Sequence, residues 1–433
     1  MEEFHVDGDG DGDSTHGSDI APALISVHPD QRSVAVAVGS ALRIFDLLKG
    51  CKVSLCDDSV DPFHKDSIRA LRYACGGKLL VSGGDDKLVK IWSTDSWRCI
   101  LSMRSEKRVS AVAVSSDGLH ICFADKFGVV WVAGLDGNTE NGLLSDKKAV
   151  PLLGHYCSII TSLEFSPNDE FIVSADRDFK IRVTVFPKNP LEGAHEIQSF
   201  CLGHTEFVSS LSFFTSCESL SFLVSGSGDS TVRLWDVIYG SLLDTCYVGE
   251  AKILERNGNE NDSTAVTDVC ALPQVHLVAV AVQSFQGIIL LSCNFTSPSL
   301  QVVRRVSIPG EKFIPTRLSA TSGDLLWMVT GISKLNGFGD TSFARLKILS
   351  GLKQSILQSD QCALTVLEDD EVPGAEKLLT EMQGSTSIDA VVFCETAKAV
   401  QAAMSNLFVK KQYSFEKREY RKRTRNDKKR QEL

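Results

Sequence analysis

Short apolar runs alternate with polar turns along most of the chain, and the pattern repeats. LLVSGGDDKLVKIW (79–92) and FLVSGSGDSTVRLWD (222–236) are near-copies: an apolar run, a turn ending in Asp, then an alternating run ending in Trp. Upstream of each lies a His followed by another short alternating run, FHKDSIRALRY (63–73) and GHTEFVSSLSF (203–213). GHYCSIITSLEFSPNDEFIVSADRDFKIRVTVF (154–186) follows the same template. His64 to Asp86, His155 to Asp178 and His204 to Asp229 are 22, 23 and 25 residues apart. Period-two alternation predicts half-buried strands. Four short strands recurring about every 40 residues predict the blades of a β-propeller.

Weaker copies extend the array. They occupy 24–47 (first), 109–135 (third), 263–293 (sixth) and 315–350 (a degenerate seventh). The fold class is therefore all-β, a propeller of seven blades, with the two chain ends expected to share one blade and close the ring. The expected organisation is a disordered acidic tail over 1–20 and the propeller over 21–350. After it come an acidic segment, a closing strand and a short helix over 351–409, then a basic tail over 410–433. NTENGLLSDKK (138–148) and ERNGNENDS (255–263) read as polar surface insertions.

The repeats resemble WD repeats, which gives their polar residues a structural role. In the fifth unit His204, Ser225, Asp229 and Trp235 are expected to form a buried hydrogen-bonded relay tying the strands together. The second unit supplies His64, Ser82, Asp86 and Trp92. The fourth supplies His155, Ser174 and Asp178, with Thr184 in place of Trp. That turn also departs from its siblings in charge, since Asp176-Arg177 replaces Gly84-Asp85 and Ser227-Gly228. Added rim charge at the expense of a core Trp is consistent with an electrostatic docking site.

Composition narrows the class. Hydrophobic residues are 43% of the chain and charged residues 23%, enough for a sizeable core. None of the 13 cysteines forms a CxxC pair and the N-terminus is acidic and Gly-rich, so a reduced intracellular protein is expected. No apolar run approaches the roughly 20 residues of a membrane span, so no membrane partner is expected. Residues 410–430 hold 11 Lys and Arg against 3 acids, a local +8, which leaves −18 for the rest of a chain whose total is −10. A basic tail on an acidic body suits a polyanion or nuclear import.

Catalytic motifs are missing. Asp7, Asp9, Asp11 and Gly12 imitate half of a calcium loop, but Ser18 stands where the bidentate Glu belongs. SGSGDS (225–230) lies in a blade turn with no phosphate-binding Lys after it. No HExxH site and no βαβ unit for a nucleotide cofactor can be read. The chain reads as a binding platform, not an enzyme, with no metal or cofactor of its own.

ADRDFKIRV (175–183), SFCLGHTEFVSSLSF (199–213), LVSGSGDSTVRLWD (223–236), FADKFGVV (123–130) and the basic C-terminus together resemble the non-catalytic WD-repeat subunit of the eukaryotic tRNA (guanine-N(7)-)-methyltransferase. The resemblance is strongest over about residues 109–240. It implies a nuclear heterodimer in which a separate catalytic subunit binds S-adenosylmethionine and forms 7-methylguanosine in the tRNA variable loop. This chain would act as the scaffold. By residue, the resemblance places partner docking on Asp125, Lys126, Asp176, Arg177, Asp178, Lys180 and Arg182, with Arg182 paired to Asp178 and with Arg177 and Lys180 reaching partner acids. Phe179 stands where members of that family often carry an acid. Lys417, Arg418, Arg421, Lys422, Arg423 and Arg425 are the candidate tRNA-phosphate contacts. Two other WD-repeat roles stand beside this reading. One is a ribosome-assembly scaffold. The other is a cullin-ligase substrate receptor, which Val237-Ile238 after Trp235-Asp236 disfavours, because such receptors carry an Arg two residues past the Trp-Asp pair.

Overall fold

The computed structural model describes residues 20–135, 148–155, 158–215, 221–249, 264–308, 313–321, 324–334, 343–352, 364–383 and 390–408. These residues form seven antiparallel four-stranded sheets whose strands pair in chain order, together with two α-helices. The blades span residues 24–52, 68–104, 109–154, 160–201, 208–247, 266–307 and 317–366. First strands line the axis, each beside the next, and Leu24–Val27 meets Arg317–Ala320 to complete the circle. The seven-bladed expectation holds.

Position within a blade explains the side-chain pattern. Second strands lie between neighbouring sheets and are buried on both faces, as in Ser33–Val38 and Leu277–Val282, where every residue is buried. Outer strands alternate or turn polar, as in Ser299–Ser307. Trp92, Trp235 and Trp327 fill the seams, with at most 1% of their surface exposed. Across the channel Arg72 of blade 2 forms an ion pair with Glu164 of blade 4.

Ring closure differs from the sequence expectation. The chain ends do not share a blade: blade 1 is wholly N-terminal, and the outer strand of blade 7 is Thr365–Val366. A short latch joins them instead, with the Ala23 amide donating to Gly331 O and the Ser333 amide to Ala21 O, both at 2.8 Å. Helix α1 (Ala375–Gln383) then covers the joint. Its Leu378 and Met382 pack with Val34, Phe45, Trp327 and Ile348, and Arg43 donates to Met382 O at 2.8 Å. Residues 390–408 form one helix, α2 (Ala390–Phe408), and no strand directly precedes it among the described residues. Its Val400, Ala403 and Met404 pack on Phe207, Phe313 and Ile332. Because Phe207 precedes the first strand of blade 5, α2 rests on the face that carries the turns between second and third strands, here called the upper face. The N-terminal residues 1–19, most of both polar insertions, and the basic tail lie outside the described residues.

Blade 2 holds a buried ion pair. Lys90 is fully buried; its Nζ lies 2.9 Å from Asp57 Oδ2 and donates to Ser59 Oγ, Asp61 O and Ser102 Oγ. Burial pushes the Asp57 pKa up, but hydrogen bonds from Ser59, Lys90 and the Phe63 amide outweigh it and hold the carboxyl below its usual range. The pair pins the 53–63 connection to the blade. Removing one member strands the other charge, so Lys90→Met or Asp57→Asn alone should cost about 3–5 kcal/mol. The double variant should recover at least half of that loss in urea unfolding; additive losses would contradict a coupled pair.

Candidate partner-docking rim

The relays of blades 2 and 5 have the expected members. His64 Nδ1 lies 2.8 Å from Asp86 Oδ2 and Nε2 lies 2.8 Å from Ser82 Oγ, while the Trp92 indole donates to the same hydroxyl at 3.1 Å. In blade 5 His204 bridges Asp229 (2.9 Å) and Ser225 (2.8 Å), and Trp235 Nε1 donates to Ser225 Oγ at 2.8 Å. The order is consistent with indole to hydroxyl to imidazole to carboxylate. Burial lowers the His204 pKa despite the opposing pull of Asp229. For Asp229, burial raises the pKa, but the His204 hydrogen bond and charge, with Thr231, win and keep it ionised. Both serines are fully buried, so these His-Ser-Asp sets tie strands and offer no nucleophile to a substrate.

Blade 4 uses a different aspartate from the one its spacing suggests. His155 Nδ1 meets Asp176 Oδ2 at 2.9 Å, and its Nε2 meets Ser174 Oγ at 2.7 Å. The carboxylate has moved from the turn to the last residue of the strand Phe171–Asp176, replacing Asp178 in the relay. There its Oδ1 also accepts the amides of Asp178 (2.8 Å) and Lys180 (3.1 Å). Asp125 does the same at the end of His120–Asp125 in blade 3. Its Oδ1 accepts the amides of Phe127 (2.8 Å) and Val129 (3.1 Å), and its Oδ2 accepts the Trp131 indole (2.9 Å) in place of an imidazole.

Asp125 and Asp176 are therefore buried, at 2% and 1% exposure, and serve as fixed staples beneath two adjacent turns. They do not face a partner, which corrects that part of the sequence assignment. Above them Lys126, Arg177 and Asp178 are half-buried and Lys180 is exposed. Arg182 is half-buried; its Nη1 donates to Gly154 O at 3.2 Å across the blade 3–4 seam, and burial lowers its pKa. Thr184, at the Trp position, is fully buried, and its hydroxyl has no partner among the described residues. The sequence reading missed Phe127, half exposed, and Lys107, whose Nζ lies 4.9 Å from the Phe127 ring centre. No periodic signal marks either. Lys417, Arg418, Arg421, Lys422, Arg423 and Arg425 lie outside the described residues.

Comparison with known proteins finds a match that includes blade 4 and begins after the blade 3 turn. The family model described as tRNA methyltransferase TRM82 WD40 domain matches residues 140–324, and a WD domain, G-beta repeat, matches 59–93. The chain is 31% identical over 237 residues to the tRNA (guanine-N(7)-)-methyltransferase non-catalytic subunit wdr4 of Dictyostelium discoideum, covering 52% of this chain and 48% of that protein. It is 31% identical over 279 residues to the Xenopus laevis protein of the same name, covering 64% and 65%. The match to the Homo sapiens protein is 32% over 225 residues, 51% of each. The chain thus spans between about half and two thirds of the length of these three relatives. The fold resembles that of U3-55K, with a TM-score of 0.56 at 20% identity over 72% of this chain and 89% of that one.

The two aspartates of the charged turn should behave unequally. Asp176→Ala strands an imidazole and two amides and should lower stability by about 2–4 kcal/mol, whereas Asp178→Ala should cost less than half as much in urea unfolding. Equal losses would restore Asp178 to the relay.

Proposed function

We propose that this chain is the non-catalytic scaffold subunit of a tRNA (guanine-N(7)-)-methyltransferase. In this reading it docks a separate catalytic subunit on the rim of blades 3 and 4 and performs no methyl transfer itself. The observation that carries the reading is the pair of stapled turns at 125–129 and 176–180, the second within the region that the family model matches. Buried carboxylates hold both loops before any partner arrives, so docking requires little ordering of this side. In this reading Lys126, Arg177 and Lys180 meet acids on the catalytic subunit, while Arg182 braces the seam beneath.

Methyl donor and reaction belong to the partner, which holds S-adenosylmethionine; this chain contributes shape and charge. The basic segment from residue 410 follows α2, and α2 ends on the upper face, the face that also carries the docking turns. That placement supports a tail that lies along tRNA phosphates while the partner reaches the variable loop. Phosphate contacts give affinity without sequence readout. The same tail suits nuclear import, and a nuclear heterodimer is the assembly we propose.

Methylation of bulk tRNA by the catalytic subunit, assayed with and without this chain, tests the proposal; equal guanine-N7 methylation in both would reject it. Lys180→Glu should abolish co-purification of the two subunits while leaving the thermal midpoint of the propeller unchanged. Arg182 is a poorer probe because its replacement disturbs the seam. Deleting 410–433 should flatten the salt dependence of tRNA binding by the complex, and an unchanged slope would remove the tail from RNA contact.

A further inference from the structure

Exposed apolar side chains lie at the two stapled turns and on the outer strand of blade 4. Phe127 and Phe179, at the stapled turns of adjacent blades, are 51% and 39% exposed; Phe200 and Leu202 are 42% and 60% exposed. Phe200 lies on the edge strand Ile197–Cys201, opposite Arg182, and the same ladder pairs Cys201 with Ile181. Leu202 therefore follows beside Lys180.

Phe179 gives the clearest signal. Its φ is +70°, in the left-handed region, at a turn position that Gly128 fills in blade 3, Lys87 in blade 2 and Ser230 in blade 5. A bulky aromatic there strains the backbone, and this one stays too exposed to recover that cost through its own burial. The left-handed backbone belongs to the turn, since Lys87 and Ser230 share it, and what sets Phe179 apart is an exposed aromatic ring at the tip of a stapled turn. Phe127 is held differently, with Lys107 Nζ and Lys126 Nζ at 4.9 and 5.7 Å from its ring centre. The patch thus interleaves four apolar groups with the cations Lys107, Lys126, Lys180 and Arg182.

We propose that Phe127, Phe179, Phe200 and Leu202 are the apolar anchors of the docking interface, and that the catalytic subunit meets them with apolar side chains set among carboxylates. The inference rests on the docking reading above and names the surface the partner must present. Charge complementarity sets orientation and encounter rate, whereas buried aromatic anchors carry most of the affinity of a protein interface. A nucleic acid would match the cations but offers nothing that Leu202, an aliphatic residue without a π-face, can stack on.

The test is equilibrium binding of the full-length chain to the purified catalytic subunit of the same organism at low and high salt, with thermal melting of each variant alone. Phe179→Gly should leave the melting temperature unchanged or raise it, because glycine relieves the backbone, and should weaken the complex about tenfold. Phe200→Ser and Leu202→Ser should weaken it with an unchanged salt slope. Should all three bind like wild type while Lys180→Glu does not, the anchors are wrong and the docking reading stands. Should Lys180→Glu bind normally as well, both fall. Weakened tRNA binding by an otherwise intact complex would make the patch an RNA surface and overturn the proposal.

Discussion

A carboxylate buried at the end of the second strand fixes the two adjacent turns on which the proposed docking depends. In blades 2 and 5 the relay aspartate, Asp86 or Asp229, sits within the turn and bonds the imidazole below it. In blades 3 and 4 the carboxylate sits two residues earlier, as Asp125 and Asp176, and one oxygen collects two turn amides. With the acid moved inward, Phe127 and Asp178 occupy the position that Asp86 and Asp229 hold elsewhere. The turn is held by its own amides, which suits the docking role proposed for it. Blade 4 shows what accompanies the change: Thr184 replaces the seam tryptophan and leaves a buried hydroxyl without a partner among the described residues.

Much of the propeller was legible because each blade repeats one alternating pattern, and second strands buried on both faces read as unbroken apolar runs. Ring closure was less so. The latch at Ala23 and Gly331 is built from backbone atoms and the Ser333 and Thr316 hydroxyls, none of which carries a periodic signal, and the strand Thr365–Val366 is only two residues long, too short for any periodicity to register. The Arg72–Glu164 pair was invisible because neither residue marks its partner in sequence; the closed ring brings them together.

At the candidate site, spacing misled in one instructive way. Counting four residues from Ser174 reaches Asp178, as it reaches Asp86 from Ser82, but the extra strand-end acid Asp176 competes for the same imidazole and holds it. Asp176 thereby moved from the surface to the interior, as did Asp125, which holds the Trp131 indole instead. Phe179 was noticed as a departure, but its left-handed backbone and its exposure become visible only in three dimensions.

The central claim is that two stapled turns on adjacent blades receive a separate catalyst. Amide hydrogen exchange of the full chain, with and without the catalytic subunit, addresses it directly. New protection should concentrate at residues 125–129, 176–182 and 197–202, with blades 6 and 7 unchanged. Protection centred on blades 6 and 7, with those three segments exchanging as in the free chain, would contradict the account.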